Sequence, residues 1–542
     1  MNFSDSIQNR FGSVCAALMA ALLSSSLQAQ TPPAATTTFT ENSGTSWLDG
    51  ANWSSGIPGG SDDAWIGNGQ TAFWDQTVSG NPDPSFGTLT LDEGATFQFN
   101  GVSTRGLPLN SIVYLSDQSH LQFTSGSVNQ DATYNILSGG TATFSPGSNT
   151  IPKGTLAGGG NLIVNVSGNT YLRWNTSGHS GNVTYQSNNG SSRYVQITQH
   201  GTAPIVGSGV TTFDNNVRVN LQRRDRIHDS ATVRFVGAAG GNNHKFATNA
   251  DQSDTIANLV IDSPVAASSV DYIRTHNSWL RATNSVSFEG TAGTVGIGST
   301  YGPTSSWPGG LDVRGADITF GGTGDWTLNG TNGVLWVDGS TTITTNTNAT
   351  ISNYLRGSGT VQKYGSETLT INGDTSLFTG IINANDGTVA AMGTVNGLSF
   401  TSGSELTIGT AASAADSLTI GSGGLSFADG MIINWQYDGA AIAGTDYDTI
   451  ISGSTLDLTG LTDITIDGTT LGYDAQVGDS FTLFDGTVTG FDAGAFTLNL
   501  PTLTTGSWVI QEGSLVLTVV PEPSSFLLGS LGLFGLLLRR RR

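Results

Sequence analysis

The chain has 542 residues, of which 74 are glycine and only 11% are charged, so its length allows several ordinary domains or one long array of repeats. Its 41 acidic and 20 basic residues give a formal net charge of −21, which excludes a nucleic-acid-binding protein that depends on a broad basic surface. A disordered chain and a long coiled coil are excluded as well, because 37% of the residues are apolar and no stretch keeps a heptad pattern.

Residues 1–30 are typical of a secretory signal peptide. Arg10 precedes an apolar run at residues 14–23, and Ala29 suits the position before a cleavage site. The run is too short to span a bilayer as a helix. Since Cys15 is the only cysteine, removal of this segment leaves a protein that forms neither disulfides nor thiolate metal sites.

Residues 31–100 are predicted to form an N-terminal capping β region. Trp47, Trp53 and Trp65 lie close together in its first half. Three large aromatic side chains suit a platform on which sugars stack, and they also suit a hydrophobic plug that covers the first open coil of an array. The plug is the favoured interpretation.

Residues 101–472 read as a series of short β-strands. Apolar and polar side chains alternate in short runs that end at Gly, Asn, Asp or Ser. In one of these runs, Leu369 and Ile371 share one face, and Thr368 and Thr370 share the other. No window has the period of an amphipathic helix of normal length. The pattern predicts an all-β fold.

An internal repeat favours stacked coils within that region. Residues 355–382 align without gaps on residues 156–183. The identical positions include Leu156 and Leu355, Gly158 and Gly357, Gly160 and Gly359, and Gly181 and Gly380. Leucine suits an inward position and glycine permits tight corners, so the repeat predicts a β-solenoid in which each turn covers the apolar face of its neighbour. A string of β-sandwiches with hairpin returns is the alternative.

One stretch of the otherwise acidic chain is cationic. Residues 171–281 contain nine arginines and one lysine against seven aspartates, and no glutamate. In its most basic part, strand alternation would place Arg224, Arg226 and His228 on one side. One hypothesis is a groove for acidic polysaccharide, or a lyase site in which an arginine removes a proton next to a carboxylate. The favoured interpretation is an ion-paired ladder on a solenoid face.

The second copy, extended to residues 355–388, resembles the autotransporter-associated β-strand repeat. The matching positions are Gly357, Gly359, Thr360, Lys363, Gly365, Leu369, Thr370, Gly373, Thr379, Gly380, Gly387 and Thr388. Phe378 stands where a tyrosine is usual, and Ile381 stands where a second glycine often follows. The resemblance implies a right-handed parallel β-helix passenger.

Other chemical motifs are absent or weak. The sequence has no GxSxG elbow, no HExxH and no P-loop. Five aspartates at residues 446–467 offer the oxygen ligands that calcium prefers, but the glycine-rich nonapeptide of calcium-binding β-rolls is missing. The sequence therefore predicts no catalytic residue, no cofactor and no metal site.

Residues 473–520 are predicted to form a small closing β-unit, and residues 521–542 form a separate tail. The tail begins with Pro521, Glu522 and Pro523, continues with an uncharged apolar run at residues 526–538, and ends with Arg539, Arg540, Arg541 and Arg542. A helix over the apolar run is about 20 Å long, which is short for a hydrocarbon core of about 30 Å. The terminal arginines snorkel and favour a cytoplasmic end, so we interpret the run as a membrane stop.

These three parts, in this order, resemble the PEP-CTERM sorting signal of bacterial exported proteins. The resemblance implies recognition by an exosortase, which is a membrane enzyme that removes the tail. It also implies passage across the inner membrane and delivery to the cell surface or the extracellular matrix. It implies nothing about the activity of the rest of the chain.

Together these features predict an exported, surface-displayed or matrix-associated β-solenoid with a structural or adhesive role and no enzymatic activity. The expected partners are an exosortase-type processing enzyme, the membrane that holds the C-terminal helix, and exopolysaccharide. The alternative is a β-helix that binds or cleaves acidic polysaccharide through its arginine-rich region, residues 218–228.

Overall fold

The structure is a computed structural model in two compact units, residues 1–235 and residues 236–542. The residues that it describes are 31–41, 45–75, 84–100, 107–108, 110–124, 129–147, 151–187, 193–197, 207–214, 216–223, 226–237, 245–248, 253–262, 272–276, 278–291, 293–299, 309–330, 332–409, 414–503 and 506–521, with the side chains of 129–131 and 151–153 excepted.

Strands of the first unit alternate between two parallel sheets. Their bounds are β1 (Thr37–Thr38), β2 (Thr45–Ser46), β3 (Asp63–Ile66), β4 (Thr71–Asp75), β5 (Thr88–Leu91), β6 (Thr96–Asn100), β7 (Ile112–Leu115), β8 (His120–Phe123), β9 (Asn129–Ile136), β10 (Thr141–Ser145), β11 (Ile151–Gly158), β12 (Asn161–Val166), β13 (Thr170–His179), β14 (Val183–Ser187), β15 (Arg193–Ile197), β16 (Val210–Phe213), β17 (Val217–Leu221) and β18 (Thr232–Val236).

Each winding of the first unit gives one strand to each sheet. The odd-numbered strands pair in sequence from β1 to β17, and the even-numbered strands pair from β2 to β18, always in parallel. Paired residues are separated by 20 positions, as between Lys153 and Arg173, to 28 positions, as between Val183 and Thr211. Parallel neighbours that are one winding apart define a solenoid.

Strands of the second unit form a longer series. Their bounds are β19 (Phe246–Thr248), β20 (Asp254–Asp262), β21 (Ile273–Thr275), β22 (Trp279–Glu289), β23 (Gly293–Ser299), β24 (Gly310–Asp312), β25 (Asp317–Phe320), β26 (Trp326–Asn329), β27 (Val334–Val337), β28 (Thr342–Thr345), β29 (Ala349–Ile351), β30 (Tyr354–Gly357), β31 (Thr360–Tyr364), β32 (Leu369–Ile371), β33 (Leu377–Phe378), β34 (Ile381–Ala384), β35 (Thr388–Ala391), β36 (Gly393–Phe400), β37 (Glu405–Ile408), β38 (Ser417–Ser426), β39 (Met431–Tyr437), β40 (Thr449–Ser452), β41 (Leu456–Asp457), β42 (Ile464–Thr470), β43 (Ser480–Thr482), β44 (Phe484–Asp485), β45 (Val488–Thr489), β46 (Phe496–Asn499), β47 (Ser507–Gln511) and β48 (Val516–Val520).

From β23 to β34 each winding of the second unit has three strands. The first face runs β23–β26–β29–β32, the second runs β24–β27–β30–β33, and the third runs β25–β28–β31–β34, all in parallel. Longer strands with an irregular register, such as β22, β36 and β38, span the second and third faces. Winding lengths vary from 16 positions, between Ile382 and Leu398, to 34 positions, between Ile450 and Phe484.

Apolar side chains fill the interior and stack from one winding to the next. Five buried rings of the first unit form such a stack: Trp74, Phe99, Phe123, Phe144 and Trp174. Successive ring centroids lie 4.3, 5.4, 5.6 and 5.7 Å apart. Contacts of this geometry add about 0.5–1.5 kcal/mol per pair to the burial of apolar surface, so each winding stabilises the next.

The two copies of the internal repeat make the same close backbone approach. A Cβ atom at Gly181 would lie 1.9 Å from the carbonyl oxygen of Gly160, and one at Gly380 would lie 2.2 Å from the carbonyl oxygen of Gly359. Both distances are shorter than any real Cβ contact, so these corners require glycine. The repeat therefore marks equivalent corners in the two units, with its leucine buried at both positions.

Two tryptophans of the predicted block close the first winding, whereas the third, Trp65, is half-buried and donates to the carbonyl oxygen of Pro33 at 3.2 Å. Trp47 and Trp53 are buried, with ring centroids 4.5 Å apart, and Trp47 also packs against Phe97 of a later winding at 5.0 Å. The indole nitrogen of Trp53 donates to the carbonyl oxygen of Trp47 at 2.9 Å. Neither ring presents a face on which a sugar stacks, which is the geometry of a hydrophobic plug.

The last part of the second unit changes from parallel to antiparallel pairing. Strand β48 lies between β43 and β47 and is antiparallel to both. Phe481, Leu517 and Ile510 are buried beneath this small sheet. A sheet of this kind ends the stacking of parallel windings.

The prediction of an all-β fold built as a parallel β-helix is confirmed by these sheets, whose arrangement is consistent with the predicted right hand. The alternative of β-sandwiches joined by hairpins is wrong, because neighbouring strands in both solenoids run parallel. The described residues contain no α-helix, and two 3₁₀ turns occur at Gly50–Asn52 and Ala493–Ala495. The short hydrophobic helix predicted at the C-terminus lies outside the described residues. The domain boundaries remain predictions.

Candidate functional site

The predicted sorting residues lie almost wholly outside the part that the structure describes. Pro521 is described, and it is exposed directly after β48. Glu522, Pro523 and the four terminal arginines are outside the described residues. Among those that are described, no helix combines the length and the apolar character needed to cross a bilayer.

The arginine-rich region does not form the continuous strand that the sequence suggested. Strand β17 ends at Leu221 and β18 begins at Thr232, so the described residues between them lie in a connection. Arg224 is outside the described residues, Arg226 is buried and His228 is half-buried. The Nδ1 atom of His228 lies 2.8 Å from the hydroxyl of Ser230. The alternation that placed Arg224, Arg226 and His228 on one side therefore does not apply here.

Several basic side chains of residues 171–281 bind other residues of the solenoid. The guanidinium of Arg218 lies 3.9 Å from the ring centroid of Tyr194 and donates to its hydroxyl at 3.0 Å, and burial lowers the pKa of Arg218. Lys245 is fully buried, and its ammonium donates to the carbonyl oxygen of Val236 at 2.8 Å. Burial also lowers the pKa of His179, whose Nδ1 lies 3.3 Å from the carbonyl oxygen of Ala157.

Lys363, which matches the lysine of the repeat pattern, occupies an inward position of β31. It follows Ile343 of the previous winding and precedes Ala384 of the next. Its ammonium donates to the carbonyl oxygens of Gly365 at 2.6 Å, Glu367 at 2.8 Å and Asp386 at 2.5 Å. Burial lowers the pKa of Lys363 to about 8. Three carbonyl acceptors use all three ammonium donors, so this lysine ties a corner together.

Asp448 accepts hydrogen bonds from backbone N–H groups, whereas Lys363 donates to backbone carbonyl oxygens. Its two carboxylate oxygens accept from the backbone N–H of Asp416 at 2.7 Å and of Gln436 at 2.8 Å. Burial raises the pKa of Asp448 to about 7, with a smaller contribution from the nearby charge of Asp416. In the described parts of the chain, no group of three or more His, Cys, Asp and Glu side chains is placed to hold a metal ion.

A cluster that the sequence did not reveal lies on the outer side of the second face of the second unit. We call it the Trp336 cluster, and its members are Trp279, Arg281, Asp312, Arg314, Trp336 and Arg356. Parallel register places Arg281, Asp312, Trp336 and Arg356 side by side on four successive windings. Neighbouring rungs are about 4.8 Å apart, so these side chains touch although 75 positions separate the first from the last.

Trp336 is the centre of this cluster. The guanidinium of Arg314, from the preceding winding, lies 3.5 Å from the ring centroid, and that of Arg356, from the following winding, lies 4.5 Å away. Trp279 packs against the same residue, with centroids 5.0 Å apart. Cation–π contacts at partly exposed positions are worth about 0.5–2 kcal/mol each, enough to hold flexible arginines in fixed positions.

One buried carboxylate organises the cations. Arg314 donates to Asp312 through Nε at 3.0 Å and through Nη2 at 2.8 Å, and Arg281 approaches the same carboxylate at 3.8 Å. These hydrogen bonds raise the pKa of Arg314. Arg281 and Arg314 share Asp312, and Asp338 also acts on Arg314, so the three arginines outnumber the two acids and the net charge stays positive. One indication of this cluster was visible in the sequence: Arg314 and Arg356 are two of only three basic residues in residues 282–538.

Comparison with known proteins identifies the C-terminal segment. Residues 519–542 match the family model described as the PEP-CTERM protein-sorting motif. The predicted resemblance of the tail is thereby confirmed, and the motif implies an exported protein that an exosortase-type enzyme processes. The autotransporter-associated repeat is not named by this comparison. No curated protein is significantly similar to the chain.

Proposed function

We propose that this chain is a structural or adhesive β-solenoid of the cell surface or extracellular matrix, without enzymatic activity. The observation that carries the proposal is the joining of a sorting motif at residues 519–542 to stacked parallel windings. Buried charges that suggest chemistry in an enzyme are used here to hold windings together, as at Lys363 and Asp448.

The resemblance of residues 355–388 to the autotransporter-associated repeat supports the same role. Gly359, Gly365 and Gly387 of that pattern have φ values of 83°, 91° and 63°, which favour glycine at the corners of a winding. Such repeats build a passenger whose length, not whose active site, is its useful property. We therefore assign the second unit to this class of passenger.

The sorting step is tested by deleting Pro521, Glu522 and Pro523 in a host that has an exosortase. We expect an unprocessed form, larger than the mature protein, that stays in the membrane fraction. The intact chain in an exosortase-deficient host is the matched control and gives the same form. Identical size and location of the deleted and intact chains in the competent host would contradict the assignment.

The matrix role is tested separately, with the intact chain. We expect the processed protein to sediment with the extracellular matrix of whole cells, and a strain without it to release more matrix polymer into the medium. Recovery of the protein free in the medium, with unchanged polymer release, would argue against a structural role.

An acidic-polysaccharide-binding or lyase role of residues 218–228 is the second candidate. The positive charge of residues 171–281 favours it, whereas the burial of Arg226 and the pairing of Arg218 with Tyr194 disfavour it. Unsaturated sugar products after incubation with a polyuronate, lost when Arg224 and Arg226 become alanine, would replace the structural assignment with a lyase.

A further inference from the structure

We propose that the Trp336 cluster is a binding site for a carboxylate-bearing polysaccharide. This inference rests on the proposed matrix role, since it names the polymer class that the solenoid holds. The site belongs to the second unit, whereas the arginine-rich residues 218–228 that the sequence had suggested belong to the first.

The first argument is charge. Arg281 and Arg314 pair with the buried carboxylate of Asp312, and Arg314 also interacts with the charge of Asp338, while the arginine side chains are partly exposed. The side chain of Arg281 keeps 45% of its surface exposed. Arg356 contacts the Trp336 ring and forms no ion pair with a described residue. The cluster therefore offers two guanidinium groups, Arg281 and Arg356, that an external carboxylate can reach.

The second argument is the class of ligand. Arg314 and Arg356 come from the windings before and after Trp336 and lie against its ring, so that ring is not a free platform for a neutral sugar. What the cluster presents outward is guanidinium, which pairs with carboxylate in a bidentate manner. A nucleic acid does not fit, because two accessible cations on a chain of charge −21 neutralise too few phosphates.

The third argument is geometry. Arg281 and Arg356 are three rungs apart in register, which places them about 14 Å apart along the stacking direction. A linear polymer that lies along this direction can place one acidic group at each end of the cluster. Trp279 is half-buried and packs beside Trp336, at the Arg281 end of the cluster.

The test measures binding of the exported, processed protein to an immobilised polyuronate, with a neutral glucan of similar length as the control polymer. Arg281→Gln and Arg356→Gln should each weaken binding about tenfold, as expected for the loss of one charged hydrogen bond. Binding of the unaltered protein should fall as salt is raised. Arg274→Gln, at an exposed arginine of β21 outside the cluster, is the matched control and should bind normally.

Three outcomes would overturn the inference: normal binding by the Arg281→Gln and Arg356→Gln double variant, equal binding to the neutral glucan, or loss of binding only when Arg224 and Arg226 are altered. Circular dichroism of each variant checks that the solenoid is intact. If the protein sediments with the matrix but the double variant binds polyuronate normally, this site is wrong and the matrix role stands. If the protein binds polyuronate through the cluster but never sediments with the matrix, the binding site stands and the matrix role is wrong.

Discussion

Replacing Lys363 by methionine tests whether a buried cation holds the corner of a winding. Methionine keeps the apolar length of the lysine side chain but removes the ammonium. The carbonyl oxygens of Gly365 and Asp386 then lose the donor that the fully buried Lys363 provides, whereas that of Glu367 keeps a second donor, the hydroxyl of Thr345 at 2.9 Å. At the lower limit of about 1 kcal/mol for each of the two unsatisfied acceptors, the loss is about 2 kcal/mol.

Because each winding contacts only its neighbours, the effect should be local. We expect amide hydrogen exchange in peptides that cover residues 360–390 to become about thirtyfold faster, which corresponds to about 2 kcal/mol. Peptides of the first unit should be unchanged. Arg274→Met removes an exposed cation of the same unit and serves as the control, with no change in exchange near Lys363. Unchanged protection of residues 360–390 in Lys363→Met would refute the reasoning.

Two further predictions concern a corner and a buried acid. Gly380→Ala places a Cβ atom 2.2 Å from the carbonyl oxygen of Gly359 and should lower the free energy of unfolding, measured by urea titration, by about 1–3 kcal/mol. The control is Gly453→Ala, whose Cβ atom meets nothing within 4 Å and which should leave stability unchanged. Equal effects of the two variants would contradict the corner assignment. Since burial raises the pKa of Asp448 to about 7, the folded state holds a proton that the unfolded state has released, so stability should fall by about 2–4 kcal/mol as the pH rises from about 4 to 7. Asp448→Asn should remove most of this dependence of stability on pH, while Asp467→Asn, at an exposed aspartate, should keep it. Parallel curves of stability against pH for Asp448→Asn and the unaltered chain would count against a buried acid.

The faces of individual strands were predictable because period two decides them locally. Leu369 and Ile371 are buried, and Thr368 and Thr370 are half-buried, as alternation required. The same alternation failed at Arg226, since it lies in the connection between β17 and β18, where both Arg226 and its neighbour Ile227 are buried. The glycine pairs of the internal repeat were also informative, because a close backbone approach permits no other residue.

The Trp336 cluster could not be predicted from the sequence, for a different reason. Its members come together only through register, and register depends on winding length, which varies from 16 to 34 positions in the second unit. A sequence that does not fix winding length cannot place Arg281 beside Asp312 or Trp336 beside Arg356. The position of Lys363 was hidden in the same way, since one of its acceptors, the carbonyl oxygen of Asp386, belongs to the next winding.

The placement of cations has a consequence for any polyanion that meets this protein. Lys245 and Lys363 are buried and donate to backbone carbonyl oxygens, so their charges do not neutralise acidic groups at the surface. Over the described residues, the outer surface of the second unit is therefore more acidic than its composition suggests, and the Trp336 cluster is where three arginines come together on it. Attraction confined to one small site acts over about one Debye length, roughly 8 Å at physiological ionic strength. Binding should then be specific in position and sensitive to salt, which distinguishes it from the diffuse adhesion of a basic protein.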